Sequence, residues 1–211
     1  GTDFSRIDGT GANGVMLVGE GSGEMEARDG LPFRPYAPAG SLLERTFRRM
    51  RMSREQFSIT NIIRCRPRNN WLENSPWEHS AINHCRPNLD AAIADRRPRA
   101  IVALGGTALR ELTGMAGEAR GIGHLAGYVL PLARIVKVSC DDHSDGNCFM
   151  CGGSGFVDGR VAESIPVIGN FHPAFLRRGK ASLQGLFARI LNRAVNIAAG
   201  KDTSWLWNVD P

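Results

Sequence analysis

The sequence predicts an α/β protein built on a parallel sheet, and three observations carry that reading. Four short apolar runs are spaced along the chain: Val15 to Val18, Ile59 to Ile63, Ala100 to Leu104 and Ile165 to Ile168. Each runs straight into glycine, proline or a polar residue, as buried parallel strands do where they open into functional loops. Between them lie stretches with helical periodicity, so the order is strand, helix, strand, helix. The first run breaks into Gly19-Glu20-Gly21-Ser22-Gly23, a glycine turn with a carboxylate at its mouth. Open α/β sheets deliver reactive groups to their carboxyl edge in this way.

The elements follow in order. Leu42, Leu43, Thr46, Phe47 and Met50 fall on one face of a helix predicted over 39–52, with arginines on the other face. Ser75-Pro76-Trp77-Glu78 has the form of a capping box with proline at the first helical position, which predicts a helix running from there toward Ala94. Pro87 is expected at a kink or a break in it. A short helix follows over 106–112, and a longer amphipathic one over 181–199 closes the domain. The segment 121–163 is the least regular. Tyr128 to Val138 suits a hairpin arm, and Phe156 to Val161 reads as its returning strand. The whole chain, 1–211, is expected to form one domain with this arm inserted into it, because no linker-like composition divides it.

Composition narrows the partners. Lys and Arg number 26 against 21 Asp and Glu, a formal charge of +5, which favours an anionic partner. Arginines cluster at Arg48-Arg49, Arg64 to Arg68, Arg96 to Arg99 and Arg177-Arg178. The longest apolar runs are too short to cross a bilayer, and no charged-then-apolar leader opens the sequence. A soluble, cytoplasmic, monomeric protein is expected. The chain opens Gly1-Thr2 rather than with methionine, which leaves room for residues upstream. Five cysteines suit metal ligands better than a disulfide framework.

Taken singly, the chemistry-bearing residues have plain structural readings. Glu20 can cap the next element, Asn61 can satisfy its own backbone at a strand end, His172 can cap a following turn and Phe33 can be core. The glycine turn is no nucleotide-binding loop, since no Gly-Lys-Ser/Thr follows it and the dinucleotide spacing is broken. No nucleotide cofactor is therefore expected.

Taken together, the motifs resemble the uracil-DNA glycosylase superfamily, most closely its family 4, the iron-sulfur enzymes. The resemblance rests on Gly19 to Gly23, Gly30-Leu31-Pro32-Phe33, Thr60-Asn61 through Cys65-Arg66-Pro67, Cys85-Arg86-Pro87, Leu104-Gly105 and His172-Pro173-Ala174. It implies a three-layer α/β/α fold with a central four-stranded parallel sheet. It also implies a monofunctional DNA glycosylase that flips out and hydrolytically excises uracil or a modified pyrimidine. The setting would be base-excision repair or restriction of modified phage DNA. Phe33 would stack on the base, Asn61 would read its Watson–Crick edge, and Gly19 and Gly21 would line its pocket. His172 would donate to the oxygen where charge accumulates, and Glu20 would orient water or hold the developing positive charge on the sugar. Pro173, Phe175, Leu176, Arg177 and Arg178 would form a loop entering the minor groove, with Phe175 or Leu176 as the wedge.

Two departures accompany the resemblance. Family 4 uses four cysteines for a 4Fe-4S cluster; Cys65 and Cys85 match two of them, while the N-terminal pair is absent from these 211 residues. The cluster is lost, or its other ligands lie upstream, or cysteines elsewhere replace them. Cys140, His143, Cys148 and Cys151 have the spacing C-x2-H-x4-C-x2-C, which suits structural zinc. A long arm would let Cys148 and Cys151 reach Cys65 and Cys85 instead. The second departure is the pocket rim, Arg34 to Gly40, two residues longer than the family pattern and stiffened by Pro35 and Pro38. Such a rim admits a bulkier base. The rival reading from another class is a non-catalytic nucleic-acid-binding module, which would have no need of both Glu20 and His172.

Overall fold

The computed structural model describes residues 4–115, 121–140, 154 and 156–205. The strands β1 (Val15–Gly21), β2 (Ser58–Ile63), β3 (Ala100–Leu104), β4 (Val129–Ser139) and β5 (Phe156–Asn170) form one sheet in the order β2-β1-β3-β5-β4. The four expected runs are its parallel strands, with Gly19 opposite Asn61 and Ala103 opposite Gly169 in register. The count of four is corrected to five. β4 adds to the open edge, antiparallel to β5 from Val129 opposite Ile168 to Ser139 opposite Phe156.

Both faces of the sheet are covered, which explains the continuous apolar runs. Val15 and Leu17 face one core with Leu43 and Phe47 of α2 (Pro38–Arg49) and Phe187 and Leu191 of α7 (Gln184–Ala198). Met16 and Val18 point the other way, toward Leu89 of α3 (Glu78–Arg96) and Leu112 of α4 (Gly106–Thr113). Alternate residues on one strand thus serve two cores, and three layers result. Short helices α1 (Glu24–Asp29), α5 (Ile122–Leu125) and α6 (Pro173–Arg177) complete the set among the described residues.

Two helix expectations need correction. α3 starts at Glu78 with Trp77 at its cap, and the Ser75 hydroxyl caps nothing. Ser75 instead accepts the Glu78 N–H through its carbonyl in a preceding turn, and the Glu78 carboxylate accepts the Asn74 N–H at 2.6 Å. Pro87 neither ends nor splits α3, which runs on to Arg96. The proline lies on the exposed face, as does Asn83, whose carbonyl loses its helical partner to the proline.

The arm is a hairpin continuous with the sheet, since the returning strand and the fourth parallel strand are one element, β5. The buried Arg86 pins its root, donating to Asp90, to the Glu111 carbonyl and to the Ala133 carbonyl of β4. β4 runs away from the carboxyl edge of the parallel strands, so Cys140 stands at the far end of the arm. His143, Cys148 and Cys151 lie outside the described residues.

Candidate active site

The carboxyl ends of β1 and β2 place Gly19, Glu20, Gly21 and Asn61 side by side, and the loop after β1 folds Phe33 back over them. A Cβ on Gly19 would lie 2.4 Å from the Asn61 Oδ1 and 2.4 Å from the Phe33 Cζ, so the missing side chain is what lets ring and amide meet. Asn61 is 1% exposed, and neither its Oδ1 nor its Nδ2 has a partner among the described residues. Leaving such a group unpaired costs about 1–3 kcal/mol, and native proteins seldom tolerate it without a reason. A donor and an acceptor held side by side without partners match a ligand that offers an adjacent acceptor and donor.

Phe33 is held in an unfavourable backbone conformation. Its φ of 47° lies in the left-handed region, uncommon for a bulky residue. Glu26 stabilises it, accepting both the Phe33 N–H and the Gly23 N–H through its two carboxylate oxygens. Arg54 donates to the Phe33 carbonyl at 3.0 Å. Burial pushes the Glu26 carboxyl above its ordinary range, while the two N–H donors oppose that rise. Glu26 and Arg54 escaped the sequence reading. The only hint at Glu26 was its place three residues after Gly23, from where its carboxylate reaches back to the N-cap N–H of α1.

Glu20 accepts a hydrogen bond from the Thr107 hydroxyl at 2.9 Å, at the start of α4. Burial raises its pKa above the usual carboxylate value, Thr107 lowers it, and the charges of Glu73 and Glu78 raise it further. His172 caps α6: its Nδ1 accepts the Ala174 N–H at 3.2 Å. With Nδ1 an acceptor, the proton of the neutral ring sits on Nε2. Burial, aided by Arg178, lowers the His172 pKa to about 4, so the ring is neutral at pH 7 and presents an Nε2–H donor. Capping and donation are thus compatible roles for one imidazole. Its ring lies 5.6 Å from that of Phe33, tilted by 40°.

Two openings meet at His172. One, of about 300 Å³, runs between Gly21, Met25, Phe33, Pro38 and His172. The other, of about 610 Å³, is a cleft with Glu20, Thr107 and His172 among its lining and Trp71, Phe175 and Arg178 on its walls. Of the two wedge candidates, Leu176 is 1% exposed and belongs to the core, which leaves Phe175 as the one facing the cleft. Pro173 is buried at the first turn of α6. Arg177 is exposed but turned toward α2, donating to the Ser41 hydroxyl at 3.2 Å.

The Cys65 and Cys85 sulfurs lie 4.0 Å apart behind this edge. A 4Fe-4S cluster needs four thiolates, and among the described residues no third His, Cys, Asp or Glu joins the pair. The two sulfurs meet half of that requirement. Cys140, at the opposite end of the arm, does not approach them.

This is an α/β protein with two openings at the carboxyl edge of its parallel strands: Glu20 of β1 and His172 line the larger, Phe33 and His172 line the smaller, and the unpaired Asn61 amide of β2 lies buried against the Phe33 ring, on the lining of neither. The chain belongs to the uracil DNA glycosylase superfamily, whose family profile matches residues 8–195. It is 39% identical over 111 residues to the type-4 uracil-DNA glycosylase of Pyrobaculum aerophilum, covering 51% of this chain and 54% of that protein. It is 42% identical over 95 residues to the enzyme of the same name from Thermotoga maritima, covering 45% and 46%. The Sulfurisphaera tokodaii protein of that name is 37% identical over 105 residues, covering 49% and 45%. The chain spans about half the length of the curated relatives it matches.

Proposed function

We propose that the chain is a monofunctional DNA glycosylase that hydrolyses the bond between an extruded uracil and its deoxyribose, leaving an abasic site in the course of base-excision repair. The observation that carries this is the unpartnered amide of Asn61. Uracil presents an N–H beside a C=O on its Watson–Crick edge, the complement of what Asn61 offers. Phe33 supplies the stacking face. As the glycosidic bond breaks, the pyrimidine takes the electron pair, and the His172 Nε2–H is suited to stabilise the oxygen that gains the charge. Glu20, ionised above its raised pKa, orients the attacking water or balances the positive charge on the sugar. Among the described residues no lysine lines either opening to form a Schiff base, which favours hydrolysis by water over a lyase step.

The test is excision from oligonucleotides carrying one uracil, scored as alkali-labile strand breaks. Excision by the native protein and its loss in Glu20→Gln and His172→Ala, with DNA binding retained, support the reading. Absence of an abasic product from every substrate overturns it. One observation favours a wider substrate range. The opening beside Phe33 is bounded by Met25, Ala37, Pro38 and Ala39, so a pyrimidine with a 5-substituent finds apolar walls there. Duplexes with hydroxymethylated or glucosylated pyrimidines belong in the same assay, and their cleavage would point to restriction of modified DNA.

A further inference from the structure

The loop between β2 and α3 presents an indole that the chemistry above does not use. Trp71 is 47% exposed, although a side chain of its size is ordinarily covered. Its loop is held firmly. Trp77 packs against it edge-on, with ring centroids 5.2 Å apart at 78°. The Trp71 Nε1–H donates to the Glu73 carbonyl at 2.9 Å, and the Trp77 Nε1–H donates to the Trp71 carbonyl at 3.0 Å. Arg66 donates to the Asn70 side chain at 2.6 Å, and Asn69, Asn70 and Asn74 adopt positive φ of 57°, 54° and 59° to turn the chain. The polar end of the indole is therefore satisfied inside the protein while much of its ring surface stays open.

That ring stands on the wall of the cleft that contains Glu20 and His172, with Phe175 also on its lining. The adjacent wall carries Glu73, whose carboxylate repels phosphate, so this wall suits an uncharged base better than the phosphate backbone. Arg178, on the same cleft, supplies the cation for the backbone. The charged lining is Glu20, Glu73 and Arg178, so the aromatic face and the one arginine carry the attraction, and base stacking on aromatic faces holds unpaired nucleotides without reading their sequence.

We infer that Trp71 is a stacking platform for the base next to the extruded nucleotide on the same strand, giving the protein a grip on unpaired DNA. The inference rests on the glycosylase reading for its substrate, but its binding test does not. With single-stranded oligonucleotides carrying one uracil, Trp71→Ala raises KM about tenfold and leaves kcat within about twofold, whereas Trp71→Phe stays near the native value. Replacing one flanking base by an abasic spacer raises the native KM by a similar factor and has no further effect in Trp71→Ala. An unchanged KM in Trp71→Ala, or a spacer effect that persists in full in that variant, overturns the platform. Should no base be released from any substrate, fluorescence anisotropy with the same labelled strands separates the two ideas. Weaker binding by Trp71→Ala, dependent on the flanking base, upholds the platform while the excision reading falls; equal binding removes both. Thermal melting of each variant confirms that the half-exposed site tolerates the change.

Discussion

Gly19 and Asn61 face each other across β1 and β2, and the space a Gly19 side chain would fill is the space in which the Asn61 amide meets the Phe33 ring. Gly19→Ala therefore forces the ring, the amide or both out of place. Overpacking of this kind costs about 1–3 kcal/mol of stability. The effect on excision is expected to be larger, a loss of a hundredfold or more, because it acts on the two groups proposed to hold the base. Single-turnover rates beside a thermal melt test this, and a near-native rate in a folded Gly19→Ala protein would show that the ring and amide do not form the pocket.

His172 makes stability depend on pH with a definite sign. Its pKa falls from 6.5 to about 4 on folding, so between those values the unfolded chain binds more protons than the native one. The stability tied to the neutral ring is complete above pH 6.5 and is lost as the pH drops toward 4. His172→Asn keeps a side chain able to cap α6 but removes the titration. The melting temperature of the native protein should fall more steeply than that of His172→Asn between pH 6.5 and 5. Parallel curves would mean the ring is not buried neutral. Glu20 and Glu26, both raised, have the opposite sign and cancel in this comparison.

Thr107 tunes Glu20. Its hydroxyl favours the ionised carboxylate, against burial and the charges of Glu73 and Glu78. Thr107→Val keeps the shape and removes the donor, so the Glu20 pKa rises further. The acid limb of the rate–pH profile should move to higher pH, with the plateau rate above it changed far less. An unmoved limb would exclude Glu20 as the titrating group. Glu20→Gln should abolish release yet leave the melting temperature at pH 7 equal or higher, since an ionised carboxylate with a raised pKa weighs against folding.

The four parallel strands were legible because burial on both faces writes them as unbroken apolar runs, as in Ala100 to Leu104. β4 was harder to assign to the sheet, because Pro131 and Arg134 interrupt its apolar pattern at an edge that needs covering on fewer sides. The start of α3 was misplaced because a serine with proline and glutamate after it fits a cap in sequence, while the chain uses those residues in a turn. Glu20, Phe33, Asn61 and His172 could be named in advance because they stand in strand-end and turn motifs that resemble, in order and spacing, those of the uracil-DNA glycosylase superfamily. Glu26, Arg54, Thr107 and Trp71 could not. Their roles arise from contacts between elements, such as the 87 residues of chain separating Thr107 from Glu20, and no local pattern records them.

Glu26 offers the sharpest test of how the pocket is held. Both of its oxygens accept backbone N–H groups, from Gly23 at the end of the glycine turn and from Phe33, so one carboxylate links the turn that follows Glu20 to the Phe33 loop. Glu26→Gln retains the size but leaves a single acceptor oxygen, and its amide hydrogens would confront the second N–H. Phe33, with a φ of 47°, then loses the contact that offsets its strain. The expected result is a stability loss of about 1–3 kcal/mol, together with a KM increase of about tenfold because the ring no longer stands ready for the base. Glu26→Asp, one methylene shorter, keeps both acceptor oxygens and should recover part of the KM. Equal melting temperature and KM in Glu26→Gln would show that Phe33 holds its position without this carboxylate, and the strain would have to be balanced by Arg54 and the packing of α2 alone.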